Sequence, residues 1–317
     1  MRKIIFYQER TFGEKFNVSF EFIKQNWKIL LRYISYGILP LSLVGGLSFD
    51  GLIMNITDEV ALYDVNNTYS NFVLPYISLV IIFMVGALWL ATTVFSLMRV
   101  YNQRDNGLEN ITFSEVKDEF KRNAWRIVKC NVLITLLMLA VISVFVLLAM
   151  LIHWSVMFLL IAAVVASFIP LLMITPTYLY EDISIWKACV RGFQLGWKTW
   201  GGIFALGVVL WLLSNVIVSI FSLPWEICFI VKSIFAQSGS ADSSFLSSVW
   251  FTLISYVFSI VMFYVQYVAY SLFYVSTSYL YSHAAEQQDD MSVEAGIANF
   301  NELADNNKDA EEEDIWS

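Results

Sequence analysis

The chain has 317 residues, 58% of them apolar and 15% charged. A soluble globular chain lies nearer half apolar and a quarter charged, so this composition belongs to a membrane protein. The formal charge of −8 is misleading, because residues 283–317 hold eleven of the 27 acids and one base, which leaves the remaining body at +2 and argues against nucleic acid as a partner.

The first 27 residues contain no apolar core of the kind a cleavable signal peptide needs, so the first span is expected to serve as its own insertion signal. "TFGE" at Thr11–Glu14 is a capping box that opens a helix over about 12–27, with Phe16, Phe20, Ile23 and Trp27 on one stripe. Lys28 follows that tryptophan. No charge occurs from Tyr33 to Phe49 or from Val65 to Met98. About 20 apolar residues cross ~30 Å of hydrocarbon, which predicts spans over roughly 29–49 and 72–97. Pro40 falls inside the first and is expected to bend it, whereas Pro75 sits harmlessly near the start of the second.

The opening unit then recurs. "TFSE" at Thr112–Glu115 predicts a second surface helix over about 113–126, with Val116, Phe120 and Ile127 on its apolar side and Trp125-Arg126 at its end. The uncharged run from Cys130 to Tyr180 is long enough for two crossings, roughly 129–152 and 155–178, broken near His153, with a bend expected at Pro170. A third surface helix is predicted over about 183–198. Its stripe is Trp186, Val190, Phe193 and Trp197, and beside it run Lys187, Arg191, Gln194 and Lys198. Ser184 stands where the capping threonine should be, but Lys187 replaces the glutamate, so this box is incomplete. An apolar stripe flanked by bases and tryptophans suits an interfacial helix, whose rings sit at headgroup depth while Lys and Arg reach anionic lipid. Headgroup contacts are therefore expected at Lys187, Arg191, Lys198, Trp197, Lys28, Trp27, Arg126 and Trp125.

The fifth span is predicted over about 200–223, with Pro224 at its end. The sixth falls over about 248–275, inside an uncharged run of forty residues, Ser243 to Ser282. As one helix that run would measure ~60 Å, so an end must project into water. Phe263, Tyr267, Tyr270, Tyr274 and Tyr281 form an aromatic stripe along it. Residues 283–317 are predicted to be a largely disordered acidic tail, carrying a short helical stripe of Val293, Ile297 and Phe300. Small residues four apart, Ala87/Ala91, Ala162/Ala166 and Ala163/Ser167, are candidate sites of close helix approach.

The resulting fold class is an all-α integral membrane protein with six spans in three hairpins, each preceded by an amphipathic interfacial helix. Seven bases lie in Met1–Arg32, seven in Arg99–Lys129 and three in Lys187–Lys198, whereas the intervening segments hold only Lys232. That asymmetry predicts both termini in the cytoplasm.

Chemistry is sparse. The expected polar groups at membrane depth are Asn131, Asn215 and Gln266, and no acid or base is placed there, which weakens ion-coupled transport. The two histidines, His153 and His283, fall on opposite sides, and Cys130, Cys189 and Cys228 lack metal-ligand spacing. No catalytic, cofactor-binding or metal-binding residue is assigned and no cofactor is expected. The reading is a non-enzymatic module that organises a protein partner or lipid at the cytoplasmic face, with the acidic tail as a protein-docking candidate. The alternative is a passive transporter or lipid-handling protein using the aromatic stripe of the sixth span.

"PTYLYEDISIWKACVRGFQLGW" resembles the segment after the fourth span in multi-pass bacterial proteins related to the membrane domain of glycerophosphodiester phosphodiesterases. The matching positions are Pro176, Glu181, Ala188, Arg191 and Leu195, while Gly192 replaces the usual serine. Pro40, after "NWKILLRYISYGIL", is similar too. The resemblance implies a bacterial inner-membrane domain without the catalytic barrel. That barrel opens with a His-Arg-Gly motif, and neither histidine here precedes an arginine, so the phosphodiesterase activity does not carry over.

Overall fold

The computed structural model of the protein describes residues 3–56, 72–238 and 248–289. Among these residues there are eight α-helices and no strand: α1 Phe12–Ile56, α2 Leu74–Gln103, α3 Phe113–Leu151, α4 Val156–Leu171, α5 Ile174–Tyr180, α6 Ile185–Lys198, α7 Trp200–Ser238 and α8 Val249–Asp289. Six helical segments are long and apolar enough to cross a membrane, with α4 and α5 together making the fourth, Met157–Tyr180. The chain is an all-α, multi-pass membrane protein.

Several boundaries differ from those expected. Only the third surface helix is a separate element. The segments expected at 12–27 and 113–126 run without interruption into their spans as α1 and α3. Nothing in "WKILLRY" or "WRIVKCN" breaks a helix, because neither stretch holds a glycine or proline. At the third copy Thr199 leaves the helical region with φ −105° and ψ 17°, and the next helix starts at once with Trp200, Gly201 and Gly202. Pro224 lies well inside α7 rather than at a span end. α8 continues to Asp289, seven residues into the segment expected to be an unstructured tail. The stripe proposed for Val293, Ile297 and Phe300 lies outside the described residues.

The chain forms two compact units. One comprises Met1–Ser19, Ile134–Phe204 and Ser276–Ser317, and the other Phe20–Leu133 and Ala205–Val275. In the second unit helices approach closely at glycines rather than at the expected Ala87/Ala91 pair, of which Ala87 is exposed. A Cβ on Gly86 would stand 2.4 Å from the Tyr267 hydroxyl, which donates to the Ile82 carbonyl at 3.1 Å. Phe263 packs beside Phe83 at 5.4 Å between ring centroids, and Tyr274 against Phe95 at 5.8 Å. Most of the aromatic stripe of α8 is thus used to hold helices together.

In the first unit, Pro170 sets the geometry. A proline has no N–H to give the carbonyl four residues back, here Ala166. That orphaned carbonyl accepts from the Trp200 indole Nε1 at 3.0 Å. α4 ends one residue after Pro170, α5 resumes at Ile174, and α6 packs on both.

Candidate functional site

α6 has two unlike faces. Ala188, Gly192, Leu195 and Gly196 are buried. A Cβ added at Gly192 would lie 2.6 Å from the Ile174 Cα, and one at Gly196 2.5 Å from the Pro170 Cα. Backbone therefore rests on backbone, which only glycine permits. The opposite face presents Trp186, Val190, Phe193 and Trp197, with Trp186 62% exposed and Trp197 56%. Phe193 and Trp197 stack at 5.9 Å, and Lys187, Gln194 and Lys198 are exposed beside them. Burying the small row leaves the large row no protein to cover it among the described residues of its unit.

Arg191 departs from its expected headgroup role. Its guanidinium pairs with Glu181 and, at Nη2, with Asp289. The pairing holds the guanidinium above its ordinary range: burial works against the charge, and the bonds to the two carboxylates outweigh it. Asp289 was expected to be solvated charge in a flexible tail. It is instead the last residue of α8 and an ion-pair partner.

Glu181 is positioned by the corner between α5 and α6. Asp182 takes φ +53°, a left-handed conformation that Asp tolerates better than most residues, and so reverses the chain without a glycine. Ser184, the N-cap of α6, makes no side-chain capping bond, in keeping with its incomplete box. In the first copy the box is closed both ways, Thr11 N–H to Glu14 Oε2 at 2.7 Å and Glu14 N–H to Thr11 Oγ1 at 3.4 Å. In the second, Thr112 N–H reaches Glu115 at 3.2 Å, but the Thr112 hydroxyl meets Ser114 instead.

Glu181 also accepts from the Tyr281 hydroxyl at 2.9 Å. Tyr180 stacks on Tyr281 at 5.4 Å and donates to Ser278 at 2.9 Å. Phe6 is inserted between Tyr180 and Tyr279, with centroids 5.2 and 5.8 Å away. Arg10 ties this N-terminal strap together, donating to the carbonyls of Phe6 at 3.0 Å and Gln8 at 3.3 Å while its guanidinium lies 5.3 Å from the Tyr279 ring. Burial lowers the Arg10 guanidinium from its ordinary value. The Arg10 amide donates to His283 Nδ1 at 3.0 Å, so that nitrogen carries no proton. Every residue from Val275 to Glu286 is buried, so the end of α8 that outruns a bilayer is enclosed by protein. Nothing in the sequence foretold this enclosure, since the partners lie nearly 100 or more than 270 positions apart.

The remaining expected residues are dispersed. Trp27 and Lys28 are exposed on α1, the ammonium 5.7 Å from the ring centroid. Trp125 is exposed on α3 beside Lys129, and Arg126 is half-buried. Val116 and Ile127 face inward, so the second stripe packs against protein, unlike the third. Asn131 is exposed, Asn215 donates to its own helix at the Trp211 carbonyl, 2.7 Å away, and Gln266 is half-buried. The sequence reading missed the buried carboxylate Asp50, which lies one position beyond the expected first span. It accepts from Trp225 Nε1 at 3.0 Å and from the Ser255 hydroxyl. No group of His, Cys, Asp and Glu able to hold a metal occurs among the described residues.

No family, curated protein or solved structure matches this chain.

Proposed function

We propose that this protein is a non-enzymatic module of a bacterial inner membrane, with both termini in the cytoplasm, that engages anionic lipid at the cytoplasmic face and presents its acidic tail to a protein partner. One observation carries the reading. α6 is anchored backbone to backbone through its small-residue row, which fixes its four large apolar side chains outward beside Lys187 and Lys198. A fixed face of this composition matches the headgroup layer, where aromatic rings and snorkelling bases are both favourably placed. The distribution of bases supports the orientation. The resemblance to the membrane domain of glycerophosphodiester phosphodiesterases supports the same reading, since its matching positions Glu181, Ala188, Arg191 and Leu195 are those that seat α6. The transporter alternative needs a free aromatic face on α8, and Phe263, Tyr267 and Tyr281 are buried in packing.

Nitroxide labels at residues 187 and 190, in protein reconstituted with phosphatidylglycerol, test the proposal. Membrane-soluble oxygen should relax the label at 190 and an aqueous reagent the one at 187. Two labels equally open to the aqueous reagent would reject it.

A further inference from the structure

α7 begins at Trp200, one residue after Thr199 closes α6. The leading amides of any helix lack an intrahelical acceptor. Ile203 has its amide bonded to the Thr199 carbonyl at 3.1 Å. Among the described residues, the amides of Trp200, Gly201 and Gly202 make no hydrogen bond. Two of the three carry no side chain, and a Cβ placed on Gly201 would meet nothing within 4 Å. The approach to this backbone is open.

Lys15, from the first turn of α1, reaches the same place. Its Nζ lies 3.9 Å from where a Cβ on Gly202 would stand. The residue is only 9% exposed, yet no acceptor is bonded to its ammonium among the described residues. The adjacent acid, Glu14, is directed instead to the Thr11 amide. A buried ammonium without a counter-charge is costly, because it has given up water and gained no opposite charge. A helix N-terminus, carrying about half a positive charge, makes its position worse. Two like-signed groups converge on one open space, an arrangement an anion between them would reverse.

We propose that Lys15 and the first turn of α7 form a binding site for a phosphate group. Three amides in one turn and an ammonium supply converging donors suited to a tetrahedral oxyanion, the arrangement by which helix N-termini hold phosphate. The glycines let the oxygens reach the backbone. A phospholipid headgroup and free inorganic phosphate share this chemistry. The site is separate from the exposed face of α6 and goes beyond the surface role proposed above.

The test uses the full chain, delipidated in detergent, titrated by calorimetry with inorganic phosphate and with short-chain phosphatidic acid. Because no bilayer is present, the outcome does not depend on whether α6 lies in the headgroup layer. Wild-type protein should bind one equivalent of at least one ligand, and Lys15→Met should weaken it at least about tenfold, a loss of 1.4 kcal/mol. Lys24→Met, an exposed base on the same helix, should leave affinity within about twofold. Binding of phosphatidic acid alone identifies the source as lipid, and binding of phosphate alone as the free ion. Failure of both ligands, or unchanged affinity in a Lys15→Met protein that melts normally, overturns the proposal. If Lys15→Met does not fold, Gly201→Val decides: tenfold weakening supports the site and unchanged affinity rejects it.

Discussion

Arg191 shows what a single side chain does here. It stands between Glu181 on the α5–α6 corner and Asp289 at the end of α8, and removing it leaves two carboxylates facing each other. Losing one partner of a buried ion pair costs about 3–5 kcal/mol, and partial exposure of this one brings the expectation for Arg191→Met to roughly 2–3 kcal/mol. Unfolding in detergent would measure it, and Glu181→Gln combined with Arg191→Met should cost less than the sum of the single changes. The raised guanidinium keeps its charge throughout the range in which proteins survive, so its contribution, present below the ordinary arginine value, is not lost on alkaline titration. Cys189, on the same helix, has its thiol raised by burial. The folded state thus holds the proton to higher pH than the unfolded chain, and at neutral pH maleimide should label Cys189 more slowly in native than in denatured protein. A native rate equal to the denatured one would contradict the burial. Sequence periodicity placed Arg191 on a basic row with Lys187 and Lys198, but it could not reveal that the middle base is claimed by an acid 98 positions away.

At the scale of the element, α6 is a short helix whose two rows of side chains are sorted by size. Only one was legible in the sequence: the aromatic stripe stands out by periodicity, whereas Ala188, Gly192 and Gly196 form no row that hydropathy marks, because small residues leave no such signal. Only the partner surface, the α4–α5 backbone exposed by the break after Pro170, gives that row its meaning. Gly196→Leu should drive a side chain into the Pro170 backbone, costing about 2–3 kcal/mol and lowering the detergent melting temperature by several degrees. Substituting the exposed Gly201 by alanine, whose Cβ meets open space, should change the melting temperature little. Equal effects of the two changes would show that α6 is not seated as described. Helix continuity was the harder reading: capping boxes at Thr11 and Thr112 marked where α1 and α3 start, but a charge-bearing segment and an apolar span can share one helix when no breaker divides them.

For the whole molecule, the count of spans followed from lengths of uncharged sequence, because bilayer thickness is a fixed ruler. The ruler also required the sixth helix to project, but composition alone read the segment after it as tail. In the structure the strap of residues 3–10 and the α5–α6 corner enclose its end. A chain truncated after Asp289 should therefore keep the wild-type melting temperature while losing any protein that co-purifies through the acidic segment. Truncation after Ser282, which removes His283 and Asp289, should destabilise the protein. The topology on which the functional reading stands is tested most directly by compartment-specific reporters fused in turn at residue 60 and after Ser317. The two reporters should lie on opposite sides of the membrane, with the second in the cytoplasm. Activity of both in one compartment would contradict six crossings and both the orientation and the headgroup role built on them.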